Sequence, residues 1–202
     1  EQILDKMLEL AAANGWEAVR LQEVAVALGI SLDDIRRHYR QKDDLAEALF
    51  DRADRAVLDA ADSPSLRRLC GRERLREVIM VWLQTLAPHR PAVVAMFKYK
   101  LEPGHIHFQV LGALRVSRTV QWLLEAAGSR TTHLSRIMEE MGATSIYLAT
   151  LGCWLTDTSP KYSRTRDFLD RLLRKSECLA NLVNPASIIT HPAQKATAPL
   201  PE

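Results

Sequence analysis

The sequence predicts an all-α fold, and three observations support this prediction. Apolar residues recur at helical spacing almost throughout the 202 residues, and no segment alternates cleanly with a period of two. Aromatic residues make up only 6% of the chain, while Leu, Ala and Arg are abundant. The hydrophobic content of 47% and the charged content of 26% exclude wholesale disorder. We expect about nine helices, of which the first four are short and the last five mostly long.

The first two helices both end at a glycine. Apolar residues between positions 3 and 11 share one helical face, and the pattern stops at Gly15. A second pattern covers 21–28 and stops at Gly29. Glycine readily takes the left-handed conformation that closes a helix, so both helices are predicted to end there.

The third helix begins at a capping signal. Ser31 and Asp34 have the spacing of a capping box, with Asp in the usual Glu or Gln position. We expect Leu32, Ile35 and Tyr39 to form the buried face of this helix.

The later helices follow a boundary rich in small residues. A fourth helix is predicted from about Lys42 to Ala61, and Pro64 with polar neighbours interrupts the pattern over 62–65. We predict a first domain over 1–50, a second over 51–183 and a disordered tail over 184–202. The remaining helices are expected at 75–86, 91–101, 106–127, 131–156 and 163–183.

Charge and cysteine usage restrict the compartment and the partners. The chain has 27 basic and 25 acidic residues, but residues 1–52 hold 7 basic and 11 acidic ones. Three widely spaced cysteines without a CxxC motif favour a reducing, cytoplasmic location. The longest uncharged helical stretch, 141–156, is shorter than the roughly 20 residues that span a bilayer, so we expect no stable membrane insertion. The pattern is already helical at Glu1, so we expect native residues ahead of it.

Two short helices joined by a tight turn have the proportions of a helix-turn-helix. The turn is Leu28-Gly29-Ile30-Ser31, in which Gly29 permits the bend and Ser31 starts the helix that would enter a major groove. An ordinary helical corner has the same spacing.

The N-terminal motifs resemble those of TetR-family transcriptional regulators. The resemblance covers about residues 1–50 and includes Gly15-Trp16, Val24-Ala25, Gly29-Ile30-Ser31, His38-Tyr39 and Lys42-Asp43-Asp44-Leu45. It implies a homodimer that binds double-stranded DNA, with a second domain that binds a small ligand and dimerises through the last two helices, about 131–156 and 163–183. By the same resemblance, the DNA-binding residues are expected to be Arg20, Ser31, Arg36, Arg37, His38 and Lys42.

The third helix departs from the family pattern at its start. The family tends to have a small residue and Thr where this chain has Asp33 and Asp34, and usually a phosphate-binding Tyr where it has Arg36. The two carboxylates favour the helix through its dipole, but they also repel phosphate. An acid can, however, accept a hydrogen bond from cytosine N4.

The C-terminal half is similar to a second branch of the same fold, which contains the lipid-binding proteins of ubiquinone biosynthesis. The motifs are Met141-Gly142, Trp154-x-x-Asp157-x-Ser159 and Thr165-x-x-Phe168-Leu169-Asp170. This resemblance implies a large apolar pocket for a lipid-like ligand and a helix-turn-helix that no longer binds DNA. It is the alternative to a ligand-responsive repressor.

Several apolar residues are candidates for a ligand pocket, although each is individually more typical of ordinary core. They are Trp82, Phe97, Phe108, Trp122, Met138 and Tyr147. A run of arginines at 67, 68, 72, 74 and 76 is either a surface for DNA or anionic lipid, or a solvated helix face.

Neither an enzyme nor a metal protein is predicted. The chain has no phosphate loop, dinucleotide glycine pattern or nucleophile elbow. His105 and His107 would diverge on a helix, and no Cys or acid completes a ligand set. We therefore expect no catalytic residue, metal or cofactor.

Overall fold

The computed structural model describes residues 1–69, 71–100, 106–129 and 133–183, without the side chains of residues 99–100, 106–111, 133–135 and 179–183. The all-α prediction is confirmed for these ranges, with nine helices of seven or more residues and one single-turn helix. Two 3-10 turns, Ala87–His89 and Pro160–Tyr162, precede the seventh and tenth helices. The helices are α1 (Gln2–Asn14), α2 (Leu21–Leu28), α3 (Leu32–His38), α4 (Lys42–Ala61), α5 (Pro64–Arg67), α6 (Gly71–Leu86), α7 (Arg90–Lys100), α8 (Ile106–Ala127), α9 (His133–Thr156) and α10 (Ser163–Val183).

Helix α5 was not predicted, and it begins within the break in the helical pattern at 62–65. Ser63 caps it, since its Oγ accepts a hydrogen bond from the backbone N–H of Leu66 at 3.3 Å. Pro64 occupies the first helical position, where a missing N–H costs nothing. A cap followed by proline therefore starts a helical turn here as well as ending the previous pattern.

The three N-terminal helices pack into a small core. In α1, Leu4, Met7, Leu8 and Ala11 recur at helical spacing and are at most 3% exposed. They pack with residues from α2, α3 and α4 in one cluster that continues into the second half of the chain.

The predicted burial of Leu32 is wrong. Leu32 is 46% exposed because it stands at the first position of a seven-residue helix that buries only Ile35 fully.

Helix α4 belongs to both halves of the molecule. It is 20 residues long and runs through position 50, where the domain boundary was predicted. It packs against α1 in the first half and against α6 and α8 in the second. Its buried residues Leu45, Leu49, Ala53 and Val57 form a single stripe along its length. One continuous helix therefore connects the packing of the two halves.

The second half is built around α6. This helix packs against α4, α8 and α10, and α9 lies between α8 and α10. Trp82 and Leu83 of α6, Trp154 of α9 and Leu169 of α10 are each at most 1% exposed. Within the described residues, no helix is both long and apolar enough to cross a membrane.

The turn between α9 and α10 is organised by a buried carboxylate. Asp157 is fully buried and accepts hydrogen bonds from Ser159 N at 2.8 Å, Thr165 N at 2.8 Å and Thr165 Oγ1 at 2.6 Å. Burial alone would raise the pKa of Asp157, but these hydrogen bonds outweigh it and hold the pKa well below its usual range. The Asp157 and Ser159 pair of the sequence motif therefore caps α10.

We expect the Asp157→Asn variant to lose about 1–2 kcal/mol of stability near neutral pH, as other helix-cap substitutions do. Because the folded-state pKa is depressed, the carboxylate stabilises the fold above its unfolded value of about 3.9. That contribution disappears as the pH falls towards the folded-state pKa. Urea unfolding between about pH 6 and pH 3 should give a shallower loss of stability in Asp157→Asn than in the parent chain. Asp167→Asn, an exposed substitution on α10, is the control. Parallel curves for Asp157→Asn and the parent would contradict this role.

Candidate nucleic-acid interface and ligand cavity

The turn between α2 and α3 has the predicted geometry. Gly29 takes the left-handed conformation with φ 66° and ψ 30°, which glycine adopts without steric cost. Its neighbour Ile30 donates its backbone N–H to Ala25 O at 3.0 Å, which closes α2. The chain then enters α3 immediately at Ser31, so the two helices are joined by a tight turn.

The capping box at α3 is confirmed. Ser31 Oγ accepts from Asp34 N at 3.1 Å, and Ser31 N donates to Asp34 Oδ2 at 2.9 Å. The Ser31 hydroxyl also donates to the same carboxylate at 2.6 Å. These bonds with Ser31 lower the pKa of Asp34. Ser31 thus fixes the start of α3 through hydrogen bonds within the chain.

The two acids of α3 have a basic partner on the same helix. Arg37 Nη2 lies 2.8 Å from Asp33 Oδ2, and its Nη1 lies 3.2 Å from Asp34 Oδ1. The Arg37 side chain is 68% exposed, and surface ion pairs of this kind contribute only about 0–1 kcal/mol. Arg37 therefore offsets the acidic charge at the start of α3.

Other candidate contacts lie on the surface around α3. Arg36 and His38 are exposed on α3, and Arg20 is exposed at the position before α2. Among the side chains that the structure describes, none makes an ion pair or hydrogen bond with Arg36. A guanidinium in this position can bind a phosphate or the two acceptors of a guanine edge.

Lys42 has partners inside the protein. Its Nζ donates to Val19 O at 2.9 Å and to Glu17 O at 3.1 Å, and it lies 5.4 Å from the centre of the Trp16 ring. Burial lowers the pKa of Lys42. The ammonium group joins the start of α4 to the turn between α1 and α2, a positioning role that the sequence did not indicate.

We expect Lys42→Ala to lower the free energy of unfolding by about 1.5–3 kcal/mol, the range for hydrogen bonds to charged groups. Urea unfolding followed by Trp fluorescence measures this change. Arg40→Ala is the matched control, because Arg40 is an exposed basic residue two positions earlier. Equal stability of the two variants would mean that the contacts of Lys42 inside the protein do not stabilise the fold.

The second half contains a cavity walled by aromatic side chains, which we call the aromatic cavity. Its volume is about 40 Å³. Phe50 stacks on Trp82 with ring centres 5.9 Å apart, and Tyr147 meets Trp82 edge-on at 5.3 Å. The cavity is lined by Phe50, Trp82, Met96, Phe97, Gly112, Arg115, Val116, Thr119 and Tyr147.

Three of the six predicted pocket residues line this cavity. They are Trp82, Phe97 and Tyr147. Trp122 and Met138 do not, because they lie on outward faces of α8 and α9 and are 43% and 65% exposed. The side chain of Phe108 lies outside the described residues.

A buried ion-pair cluster adjoins the cavity, and we call it the Arg115 cluster. Arg115 of α8 pairs with Asp51 and, through Nη2, with Asp54 Oδ2 at 2.7 Å. Asp54 also accepts from Trp82 Nε1 at 2.8 Å and Thr119 Oγ1 at 3.1 Å. Burial raises the pKa of Asp54, against the opposing effects of Arg115, Trp82 and Thr119. The cluster joins the cavity wall to α4, the helix that reaches the N-terminal unit.

Most arginines of the run at 67, 68, 72, 74 and 76 form ion pairs or hydrogen bonds within the chain. Arg72 pairs with Glu177 at 2.6 Å, Arg76 with Asp170 at 3.5 Å, and Arg74 Nε donates to Ala126 O at 2.7 Å. Arg67 pairs with Asp62 at 2.9 Å. These contacts tie α6 to α8 and α10, which favours a structural role for the run.

Helix α9 has an exposed apolar face, which we call the α9 face. It carries Ile137, Met138, Met141 and Leu148, each at least 45% exposed. Small residues lie between them, and an added Cβ at Gly142 or Gly152 would meet nothing within 4 Å. The exposed side of α10, in contrast, carries mainly charged residues such as Arg164, Asp167, Arg171, Arg174 and Lys175.

Comparisons with known proteins agree with both halves of the sequence pattern. A family model described as COQ9 matches residues 112–180. Among solved structures, the chain is similar to the TetR transcriptional regulator from Nitrosomonas europaea ATCC 19718, at 44% identity and a TM-score of 0.78, over 88% of this chain and 97% of that one. A tetR-family transcriptional regulator from Streptomyces coelicolor shares the fold, at 18% identity and a TM-score of 0.55, over 93% and 96% of the two chains. No curated protein sequence matches the chain significantly.

Proposed function

This chain belongs to the TetR family of transcriptional regulators, and from that membership we propose that it is a repressor. In this proposal it is a cytoplasmic, non-enzymatic homodimer that binds a pseudo-palindromic operator and responds to a ligand. The observation that carries the proposal is the capped, exposed α3, which presents Arg36 to solvent next to a tight α2–α3 turn. Two such helices in a dimer would enter successive major grooves about 34 Å apart.

The ligand response is proposed from the position of the aromatic cavity. Phe50 of α4 is one of its walls, and Asp51 and Asp54 on the same helix bind Arg115. A ligand that separates these walls would move α4 and change the spacing of the two α3 helices. Operator affinity would then change by as much as the ligand's affinity differs between the two arrangements.

The homodimer is proposed to form through α9 and α10, with the α9 face at its centre. The apolar and small residues of α9 suit a close helix contact, while the charged side of α10 suits a polar rim. In this arrangement Met138, as part of the α9 face, belongs to the interface.

Selection from a random duplex pool, followed by a salt titration, tests operator binding. An enriched palindrome whose affinity falls steeply with salt is expected, because each phosphate contact releases a counterion. Failure to enrich any sequence, from a folded dimer, would contradict the proposal.

Arg36→Ala and Arg37→Ala are each expected to weaken operator binding, for different reasons. Loss of Arg36 removes a direct contact and should cost about 1–3 kcal/mol. Loss of Arg37 leaves Asp33 and Asp34 facing phosphate without their partner. Adding Asp33→Ala should therefore restore binding to Arg37→Ala but not to Arg36→Ala, as measured by fluorescence anisotropy on the selected operator. Equal rescue of both would contradict these separate roles.

A second candidate function rests on the COQ9 match over residues 112–180. That segment supplies Arg115, Val116, Thr119 and Tyr147 to the aromatic cavity. The alternative is a lipid-binding protein of the same fold that does not bind DNA. Mass spectrometry of an organic extract from the purified protein separates the two, since a lipid carrier should retain lipid and a clean extract contradicts it.

A further inference from the structure

Arg115, which lines the aromatic cavity, has one hydrogen-bond donor without a partner among the described residues. Arg115 is only 6% exposed, and its Nε is buried without a hydrogen-bond partner among the described residues. The other two guanidinium nitrogens are used, since Nη2 binds Asp54 and Nη1 pairs with Asp51. Buried donors are nearly always satisfied by protein, water or a ligand, so this N–H marks a place for an acceptor.

The cavity beside Arg115 is narrow, and much of its wall is aromatic. The Arg115 guanidinium carbon lies 5.6 Å from the centre of the Phe50 ring, and Trp82 and Tyr147 continue the aromatic wall. A volume of about 40 Å³ exceeds the roughly 10–15 Å³ that a water needs and is well below the roughly 150 Å³ of a cavity that binds benzene. The cavity accepts a single polar group as it stands, and a larger ligand must separate the aromatic rings.

The charge of the Arg115 cluster selects between neutral and anionic acceptors. Asp54 and Asp51 both contact Arg115, and Glu47 Oε2 lies 3.6 Å from its Nη1. Three carboxyl groups thus lie around one guanidinium. The Asp54 side chain is buried, whereas those of Glu47 and Asp51 are 32% and 49% exposed. An added ligand carboxylate would meet a surplus of negative charge, whereas a carbonyl or ether oxygen would not.

We propose that the aromatic cavity binds a neutral, apolar, oxygen-bearing molecule whose oxygen accepts a hydrogen bond from Arg115 Nε. This inference rests on the proposed function, because it makes the cavity the effector site. The apolar part of the ligand packs against Phe50, Trp82 and Tyr147. Entry of that part displaces Phe50, and with it α4.

The test compares three probes of similar size on the full chain without DNA. Acetophenone carries a neutral acceptor, ethylbenzene has none, and benzoate is anionic. Isothermal titration calorimetry should show that acetophenone binds at least tenfold more tightly than either of the others. Because no operator is present, this outcome is independent of whether the protein binds DNA. Acetophenone binding no better than ethylbenzene, or benzoate binding best, would overturn the proposal.

Direct observation of the donor provides a second readout. With ¹⁵N-arginine labelling, the Nε–H resonance of Arg115 should shift on addition of acetophenone and stay unchanged with ethylbenzene. Arg115→Lys keeps the positive charge but removes this donor, so it should abolish the preference for acetophenone while ethylbenzene binding is kept. An unchanged preference in a folded Arg115→Lys variant, or an unmoved resonance in the parent chain, would contradict the assignment.

Discussion

Replacing Asp54 with Ala is expected to lower the free energy of unfolding by about 3–5 kcal/mol, the range for breaking a buried ion pair from one side. Asp54 is 6% exposed and accepts hydrogen bonds from Arg115, Trp82 and Thr119. Its removal leaves three buried donors short of an acceptor and creates a void between α4, α6 and α8. Chemical denaturation followed by circular dichroism measures the loss.

Two further variants separate charge from packing at this position. Asp54→Asn keeps the shape and an acceptor oxygen for Trp82, so its loss should be smaller than that of Asp54→Ala. The double variant Asp54→Leu with Arg115→Met replaces the ion pair by apolar groups and should recover much of the stability, as buried pairs often do when both partners are exchanged. A double variant as unstable as Asp54→Ala would show that the cluster stabilises through contacts other than this pair.

The helices and the helix-turn-helix could be predicted because their signals are local. Gly29, Ser31 and Asp34 lie within six positions of one another, and the hydrogen bonds of the α2–α3 turn join residues that are near in sequence. The exposure of Leu32 was missed because helical spacing alone does not show how much of a short helix faces the core. The contacts of Lys42 inside the protein were missed because its partners lie 23 and 25 positions away.

The cavity could be predicted only in part because it is assembled from distant segments. Arg115 and Asp54 are 61 positions apart, and nothing in either segment indicates that they meet. One signal in the sequence was Arg115 itself. This charged residue lies on the same side of α8 as Val116, Thr119 and Val120, which face the interior. Trp122 and Met138 lie outside this cavity and are exposed, which the sequence did not show because an apolar residue on the surface looks the same in a sequence as one that lines a cavity.

A substitution on the α9 face tests the proposed homodimer without DNA. Gly142 is exposed, and a Cβ added there would meet nothing within 4 Å in a single chain. In the isolated chain, Gly142→Leu should therefore stabilise α9 by about 0.5–1 kcal/mol through helix propensity. In a dimer that packs through α9, the same side chain would enter a close helix contact twice, once from each chain.

Gly142→Leu is accordingly expected to weaken dimerisation by about 5- to 150-fold, the effect of about one to three kcal/mol of overpacking. Sedimentation equilibrium measures the dissociation constant, and Ala12→Leu, an exposed substitution on α1, is the matched control. Weaker dimers should also bind the palindromic operator less tightly, because each monomer reads only one half-site. An unchanged dissociation constant together with a higher melting temperature would mean that the α9 face is solvated and that the dimer forms elsewhere. Gly142→Leu therefore weakens the dimer if α9 forms the interface and only stabilises the chain if α9 is solvated. This difference makes Gly142 the position on the α9 face that best separates the two arrangements.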